Sequence, residues 1–238
     1  MPPWKSYISG FKAFLQLERS LSVNSVDAYL HDVQKLIQYL EIQGKLVSPV
    51  EIDLHLLQDF LKWIAELGMT ARSQARIISG LRAFYRYLLL ENIISKDPTE
   101  LLDLPKLGMK LPVVLDLSEI DRMTARCDLS TPEGRRNKAM IETLYGCGLR
   151  VTELVTLKVS NLFFKEGFIR VTGKGNKERL IPVGGVAQSE IRHYLEDDRP
   201  AIPVRKGHED ILFLNRRGAG LSRVMVFTII KRLAFLAG

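Results

Sequence analysis

Gly146-Cys147-Gly148-Leu149-Arg150-Val151-Thr152-Glu153-Leu154 decides how the rest of the chain is read, together with Gly173-Lys174-Gly175-Asn176-Lys177-Glu178-Arg179 downstream. In the first stretch two glycines interrupt a helical run and an arginine stands where the next run begins. A cation is thus held beside backbone amides on a short, sharply turned connection, the outline of a phosphate site. In the second, Lys174 sits at a glycine-flanked tip between two alternating runs, Phe168 to Thr172 and Arg179 to Val183, a pattern that predicts a β-hairpin. Arginine stays charged and makes paired hydrogen bonds to phosphate oxygens, whereas lysine can also surrender a proton. Together the two motifs point to chemistry on a phosphodiester. Glu153, three residues after Arg150 on the same helix face, either orients the guanidinium or merely complements the helix dipole, and spacing leaves both readings open.

Around these motifs the second half of the chain reads as mixed α and β. Ser118 with Asp121 resembles a capping box, and Thr131-Pro132 sets a cap before a helix running to Tyr145. The next helix is predicted over Arg150–Lys158, and later helices over about 186–197 and 223–237, with a strand-like piece at 211–214. The Pro105 to Pro112 stretch, proline at each end and without apolar periodicity, reads as an interdomain linker. Upstream of it everything is helical: runs from Tyr7 to Leu17, from a Ser22 or Asn24 cap through Leu40, from Leu54 to Leu67, and from Ala71 to Glu91.

The last of these separates two faces. At about 100° per residue, Arg72, Arg76, Ser79, Ala83 and Arg86 gather on one side, and Ile77, Leu81, Phe84, Tyr85 and Leu88 on the other. A solvated polar stripe is the ordinary reading of such a face. Its sign raises the alternative, a face that contacts phosphates, because no acidic residue between Arg72 and Arg86 supplies the i,i+4 ion pairs a merely stabilising surface helix carries. Ser22, Asn24, Ser25 and Tyr29 near the second helix start are further short polar candidates for phosphate contact, or plain caps.

Composition is compatible with this and excludes some alternatives. The 238 residues carry a formal net charge of +7. Lys and Arg balance Asp and Glu at 12 each through residue 107, so the whole surplus lies beyond it, as a polyanion partner would favour. Cys127 and Cys147 are the two cysteines, with no Cys/His cluster at metal spacing, so neither a disulfide framework nor a metal site is expected and both read as core thiols. There is no signal-like N-terminus and no run near the ~18 apolar residues of a membrane helix, so a cytoplasmic protein without membrane contact is expected. A P-loop is excluded because five residues separate Gly167 from Gly173 and Gly175 follows Lys174; a dinucleotide fingerprint is excluded because position 151 is valine. His31, His55, His193 and His208 form no nucleophile–base arrangement.

Gly-Leu-Arg-Val-Thr-Glu-Leu followed by the lysine of Gly-Lys-Gly-Asn-Lys-Glu-Arg, 24 residues after the arginine, resembles the tyrosine site-specific recombinases, in particular their bacterial Xer-type branch. The resemblance spans nearly the whole chain. It implies two domains: an all-α, SAM-like core-binding bundle over 1–104 that grips DNA, a linker over 105–112, and an α+β catalytic domain over 113–238. It implies a clamp on double-stranded DNA that works without metal or cofactor, through a tyrosine that attacks the scissile phosphate to give a 3′-phosphotyrosyl link. Carried over by position, Arg150 would stabilise the non-bridging oxygens and Lys174 would protonate the departing 5′ oxygen, with Arg72, Arg76, Ser79, Arg86, Ser25, Tyr29, Lys177 and Arg179 as DNA contacts. The resemblance implies chromosome-dimer resolution or mobile-element integration by a homo- or hetero-tetramer on DNA.

One departure matters. The family's His-x-x-Arg pair, second His or Trp, and nucleophilic tyrosine find no match among these residues. The expectation is therefore a shortened form whose catalytic domain lacks its C-terminal part, inactive and monomeric alone, with apolar surface left exposed. The competing expectation is a cleavage-incompetent DNA clamp with a regulatory or architectural role.

Overall fold

The computed structural model describes residues 4–45, 47–108, 111 and 114–238, and for Lys174 the backbone alone. Contacts divide the chain into two compact units, Met1–Leu111 and Pro112–Gly238.

Among the described residues the first unit has four α-helices: α1 (Trp4–Ala13), continued by a π-helical turn Phe14–Glu18, α2 (Val23–Ile42), α3 (Leu54–Glu66) and α4 (Ala71–Leu90). Three of them start on side-chain caps, with Ser22, Asp53 and Thr70 accepting from the backbone amides of Ser25, Leu56 and Ser73. Periodicity alone located these helices because each has one apolar stripe to bury. On α4, Ile77, Leu81, Phe84, Tyr85 and Leu88 are all at most 1% exposed. Phe84 meets Phe11 edge-on with centroids 5.3 Å apart, Trp4 stacks on Phe84, and the Trp4 indole donates to the Val47 carbonyl at 2.9 Å. Each buried ring of this kind is worth about 1.5–3 kcal/mol, as is each of the buried Leu and Ile side chains packed around it.

The basic face of α4 has no acidic member of its own, but it does have an acidic partner. Asp32 of α2 is buried, and its carboxylate lies 2.6 Å from the Arg76 guanidinium. Burial raises the Asp32 pKa even though Arg76 opposes it. Gly80 makes room for this pair, since a Cβ there would lie 2.5 Å from Asp32 Oδ2 and 2.7 Å from its Cβ.

In the second unit α5 (Leu117–Thr124) precedes α6 (Pro132–Gly146) and α7 (Val151–Val155); next come an antiparallel sheet in the order β1 (Leu162–Phe163), β2 (Phe168–Thr172), β3 (Glu178–Pro182), then α8 (Gly185–His193) and α9 (Arg223–Ala237). The capping box of α5 lies two residues earlier than expected, on Asp116 and Glu119, and Ser118 instead donates to Asp116. β2 alternates as a period of two requires, with Ile169 and Val171 inward and Arg170 outward over the Phe163 ring. Residues 211–214 do not join the sheet: Ile211 bridges Lys158 and Leu214 bridges Gly220. That bridge also explains why α7 stops at Val155 rather than Lys158, because Leu157 and Val159 are drawn into backbone bonds with Leu212 and Asp210. Cys127 and Cys147 are buried, with thiols pushed up by desolvation and that of Cys127 reaching about 11. No helix among the described residues is long and apolar enough to cross a membrane.

The Gly80 contact sets a stability test. A glycine in mid-helix normally costs about 1 kcal/mol relative to alanine, so Gly80→Ala would stabilise an unconstrained helix. Here the added methyl collides with Asp32, and the substitution is expected to destabilise by about 1–3 kcal/mol in urea unfolding. An increase in stability would show that Asp32 is not held against α4.

Candidate functional site

The arginine turn is a helix stop and a helix start within four residues, from Cys147 to Arg150. α6 ends in a Schellman arrangement: Gly148 takes φ +56°, its amide donates to the Tyr145 carbonyl at 3.1 Å, and the Leu149 amide donates to the Leu144 carbonyl at 3.0 Å. Glycine is needed at 148 because an L side chain is disfavoured at that φ. The chain leaves extended at Arg150, φ −71° and ψ 148°, and Arg150 therefore caps α7 from outside rather than lying within it.

Glu153 gathers the groups around this turn. Its Oε2 accepts the Arg150 amide at 2.8 Å and the Arg179 guanidinium at 2.9 Å, and its Oε1 accepts the Arg150 guanidinium at 3.2 Å. The two readings left open by the spacing are both realised: Glu153 closes the helix start and holds the Arg150 side chain. Its side chain is 2% exposed, against 75% for Arg150 and 47% for Arg179. Burial alone would push this carboxyl up, but the Arg150 amide and then the two guanidinium groups outweigh it, and its pKa lies below the ordinary glutamate range. The site thus carries two cations on one buried carboxylate, with the Arg150 donors not spent on Glu153 open to an incoming anion.

The lysine turn is next to this cluster in the fold. β2 and β3 pair in the register Val171↔Arg179 and Thr172↔Glu178, and the Gly173 amide donates to the Lys177 carbonyl at 2.7 Å, closing a five-residue loop. Gly175 and Asn176 take φ of +73° and +57° at its tip. The side chain of Lys174 lies outside the described residues. Lys177 is exposed on the same loop.

The remaining sequence candidates lie in the first unit. Arg72, Ser79 and Arg86 are exposed along one face of α4, and no partner side chain engages Arg72 or Arg86 among the described residues. Arg76 is on that face but committed to Asp32, so it is as much a structural residue as a candidate contact. Ser25 pairs its hydroxyl with Ser22 at 2.9 Å, and Tyr29 is half-buried with its ring edge-on to Phe11. What sequence reasoning missed is the partner side: Asp32 for Arg76, and the reach of Glu153 across to Arg179. The signals were faint, a mid-helix glycine at 80 and a second arginine two residues past Lys177.

Comparison with known proteins gives this geometry a family. The chain matches the phage integrase family over residues 113–238 and the phage integrase N-terminal SAM-like domain over residues 8–92. It belongs to the phage integrase family. Among curated relatives of this family it is 39% identical to tyrosine recombinase XerD of Listeria monocytogenes serotype 4b (strain F2365), over 97% of this chain and 78% of the relative. It is 38% identical to tyrosine recombinase XerD of Staphylococcus epidermidis (strain ATCC 35984), over 94% and 76%. Among solved structures of the phage integrase type, a lambda integrase (75–356) dimer bound to a COC′ core site superposes with a TM-score of 0.72 at 16% identity, covering 98% of this chain and 78% of that one. The XerH site-specific recombinase bound to a palindromic difH substrate gives 0.71 at 23%, covering 97% and 68%. At those identities the likeness is one of fold. The fold is the one the sequence led us to expect, a SAM-like helical unit and a mostly helical catalytic unit with a small three-stranded sheet.

The depressed Glu153 carboxyl has a pH consequence. Between its folded pKa and the unfolded value of about 4.3 the unfolded chain binds more protons, so Glu153 contributes stability above that value and loses it as pH falls through the folded pKa. Wild type is expected to lose more stability between about pH 6 and pH 3 than Glu153→Gln, read from urea midpoints. Equal losses would show that Glu153 is not held as a carboxylate.

Proposed function

We propose that this chain acts in site-specific DNA recombination, as the relatives named tyrosine recombinase do. The observation that carries the reading is 39% identity over 97% of the chain to one of those relatives, with the motif arginine standing exposed on a buried carboxylate. The reaction is metal-independent strand cleavage and rejoining on double-stranded DNA in the cytoplasm, by a homo- or hetero-tetramer. A tyrosine hydroxyl attacks the scissile phosphorus, the bond to the 5′ oxygen breaks, and a 3′-phosphotyrosyl ester stores the bond for rejoining.

In this reading Arg150 binds the non-bridging oxygens, where negative charge grows, and a guanidinium fixed in advance by Glu153 does so without reorganising. Lys174, at the hairpin tip, gives a proton to the departing 5′ oxygen. Arg72, Ser79 and Arg86, with Ser25, Tyr29 and Lys177, hold the phosphate backbone. In this reading none of the seven tyrosines of these residues is taken as the nucleophile, because none stands in the family's nucleophile context.

The test is covalent trapping on nicked suicide duplexes, comparing residues 1–238 with the longest open reading frame that contains them. A covalent adduct formed only by the longer protein is expected, and Arg150→Ala in that protein is expected to lower cleavage by at least about 10²–10³-fold while sparing most binding. Binding without an adduct by either protein, on varied sites, would favour a non-catalytic clamp.

A phosphate grip also has a salt signature. With roughly 6–10 contacts, affinity should drop on the order of 10³–10⁵ between 50 and 200 mM salt. Replacing Arg72 and Arg86 by Ala is expected to weaken binding on all sequences and reduce the log–log salt slope by about 2. Arg76 is unsuitable for this test, because its loss would strand Asp32. An unchanged slope would remove α4 from the DNA interface.

A further inference from the structure

Arg179 stands on the strand that leaves the lysine turn, and its guanidinium is turned back onto Glu153. Three donors converge on that carboxylate: the Arg150 amide and Arg179 on Oε2, the Arg150 guanidinium on Oε1. The opposite leg of the hairpin backs onto the same group, since a Cβ at Gly173 would lie 3.5 Å from Glu153 Oε1. Gly173 immediately precedes Lys174, and Arg179 is two residues beyond Lys177. Both legs of the lysine turn and the start of the arginine helix therefore meet at one buried carboxylate. A contact serving only the DNA backbone would not need its charge spent on an internal anion. A purely internal ion pair would not need to leave 47% of the side chain exposed either, so Arg179 belongs at the margin of the site rather than outside it.

We propose that Arg179 is a positioning residue for the reaction: through Glu153 it fixes the orientation of Arg150 relative to the lysine hairpin. The proposal rests on the recombinase reading for its catalytic consequence and on the geometry alone for the coupling. If Arg179 is removed, Glu153 keeps only Arg150 as its cation, and the hairpin loses its side-chain tie to α7. Both reacting groups remain present but their mutual placement loosens, and misplacement of that kind costs rate more than affinity.

Two readouts test it. In residues 1–238, Arg179→Ala is expected to displace the Arg150 Nε–H resonance in ¹⁵N NMR while leaving that of Arg86 in place, with thermal melting to verify folding. In the longest reading frame, Arg179→Ala is expected to slow single-turnover cleavage at saturating DNA by about 10- to 100-fold, with DNA affinity changed less than about threefold. Arg179→Lys should recover part of the rate. The double variant Glu153→Gln with Arg179→Ala should be no slower than Glu153→Gln alone, as expected of two residues acting through one contact. The proposal is overturned if the Arg150 resonance does not move, if the two substitutions multiply, or if affinity and its salt slope fall while the saturated rate is kept. The last result would make Arg179 a phosphate contact. Absence of any adduct from the unsubstituted long protein would refute the recombinase reading separately, and the Arg150 resonance would still decide the coupling.

Discussion

A buried carboxylate shared by two arginines is the constraint on which the catalytic unit depends. Glu153 is desolvated, and an isolated ion there would be expensive. It is tolerable because a backbone amide and two guanidinium groups satisfy it. The arrangement explains a local oddity of the sequence, an arginine where a Ser, Thr, Asp or Asn would ordinarily cap a helix. Arg150 cannot accept the helix amides with its own side chain, so the cap is made from the other direction, by Glu153 taking the Arg150 amide. The helix start and the site are one structure. The Schellman turn at Gly148 completes it, by ending α6 abruptly enough for Arg150 to leave extended.

The first unit solves a related problem differently. Asp32 is buried against α4 with Arg76 as its ion-pair partner, and desolvation raises its pKa although Arg76, His31 and Lys35 oppose it. Glu153, with its backbone amide and two cations, is held ionised; Asp32 sits nearer the margin where burial and pairing offset each other. That contrast separates the arginines of the basic face. Arg76 is anchored to the core, whereas Arg72 and Arg86 are exposed and engage no partner side chain among the described residues.

Most of the helical architecture was legible because each long helix carries one apolar stripe and a polar cap, and both are local properties of the sequence. The hairpin was legible for the same reason, through the period of two in Phe168 to Thr172. Apart from the α5 cap, a local slip of two residues, errors arose where a distant segment intervened. α7 ends early because Asp210 and Leu212 capture the backbone after it, and residues 211–214 look like a strand but only bridge. The ion pairs Arg76–Asp32 and Arg179–Glu153 join residues 44 and 26 positions apart, and no local period encodes such a meeting. The motif arginine and its glutamate were readable because they are only three residues apart; the second arginine was visible as a residue but not as a partner.

The most direct test of the central claim is a crystal structure of the protein encoded by the longest reading frame on a duplex, with vanadate in place of the scissile phosphate. The Arg150 guanidinium should lie within about 3 Å of a non-bridging vanadate oxygen and still hold Glu153, with Arg179 on the same carboxylate. An Arg150 that released Glu153 to reach the anion, or that stayed on Glu153 and away from it, would contradict the view that this carboxylate presets the site.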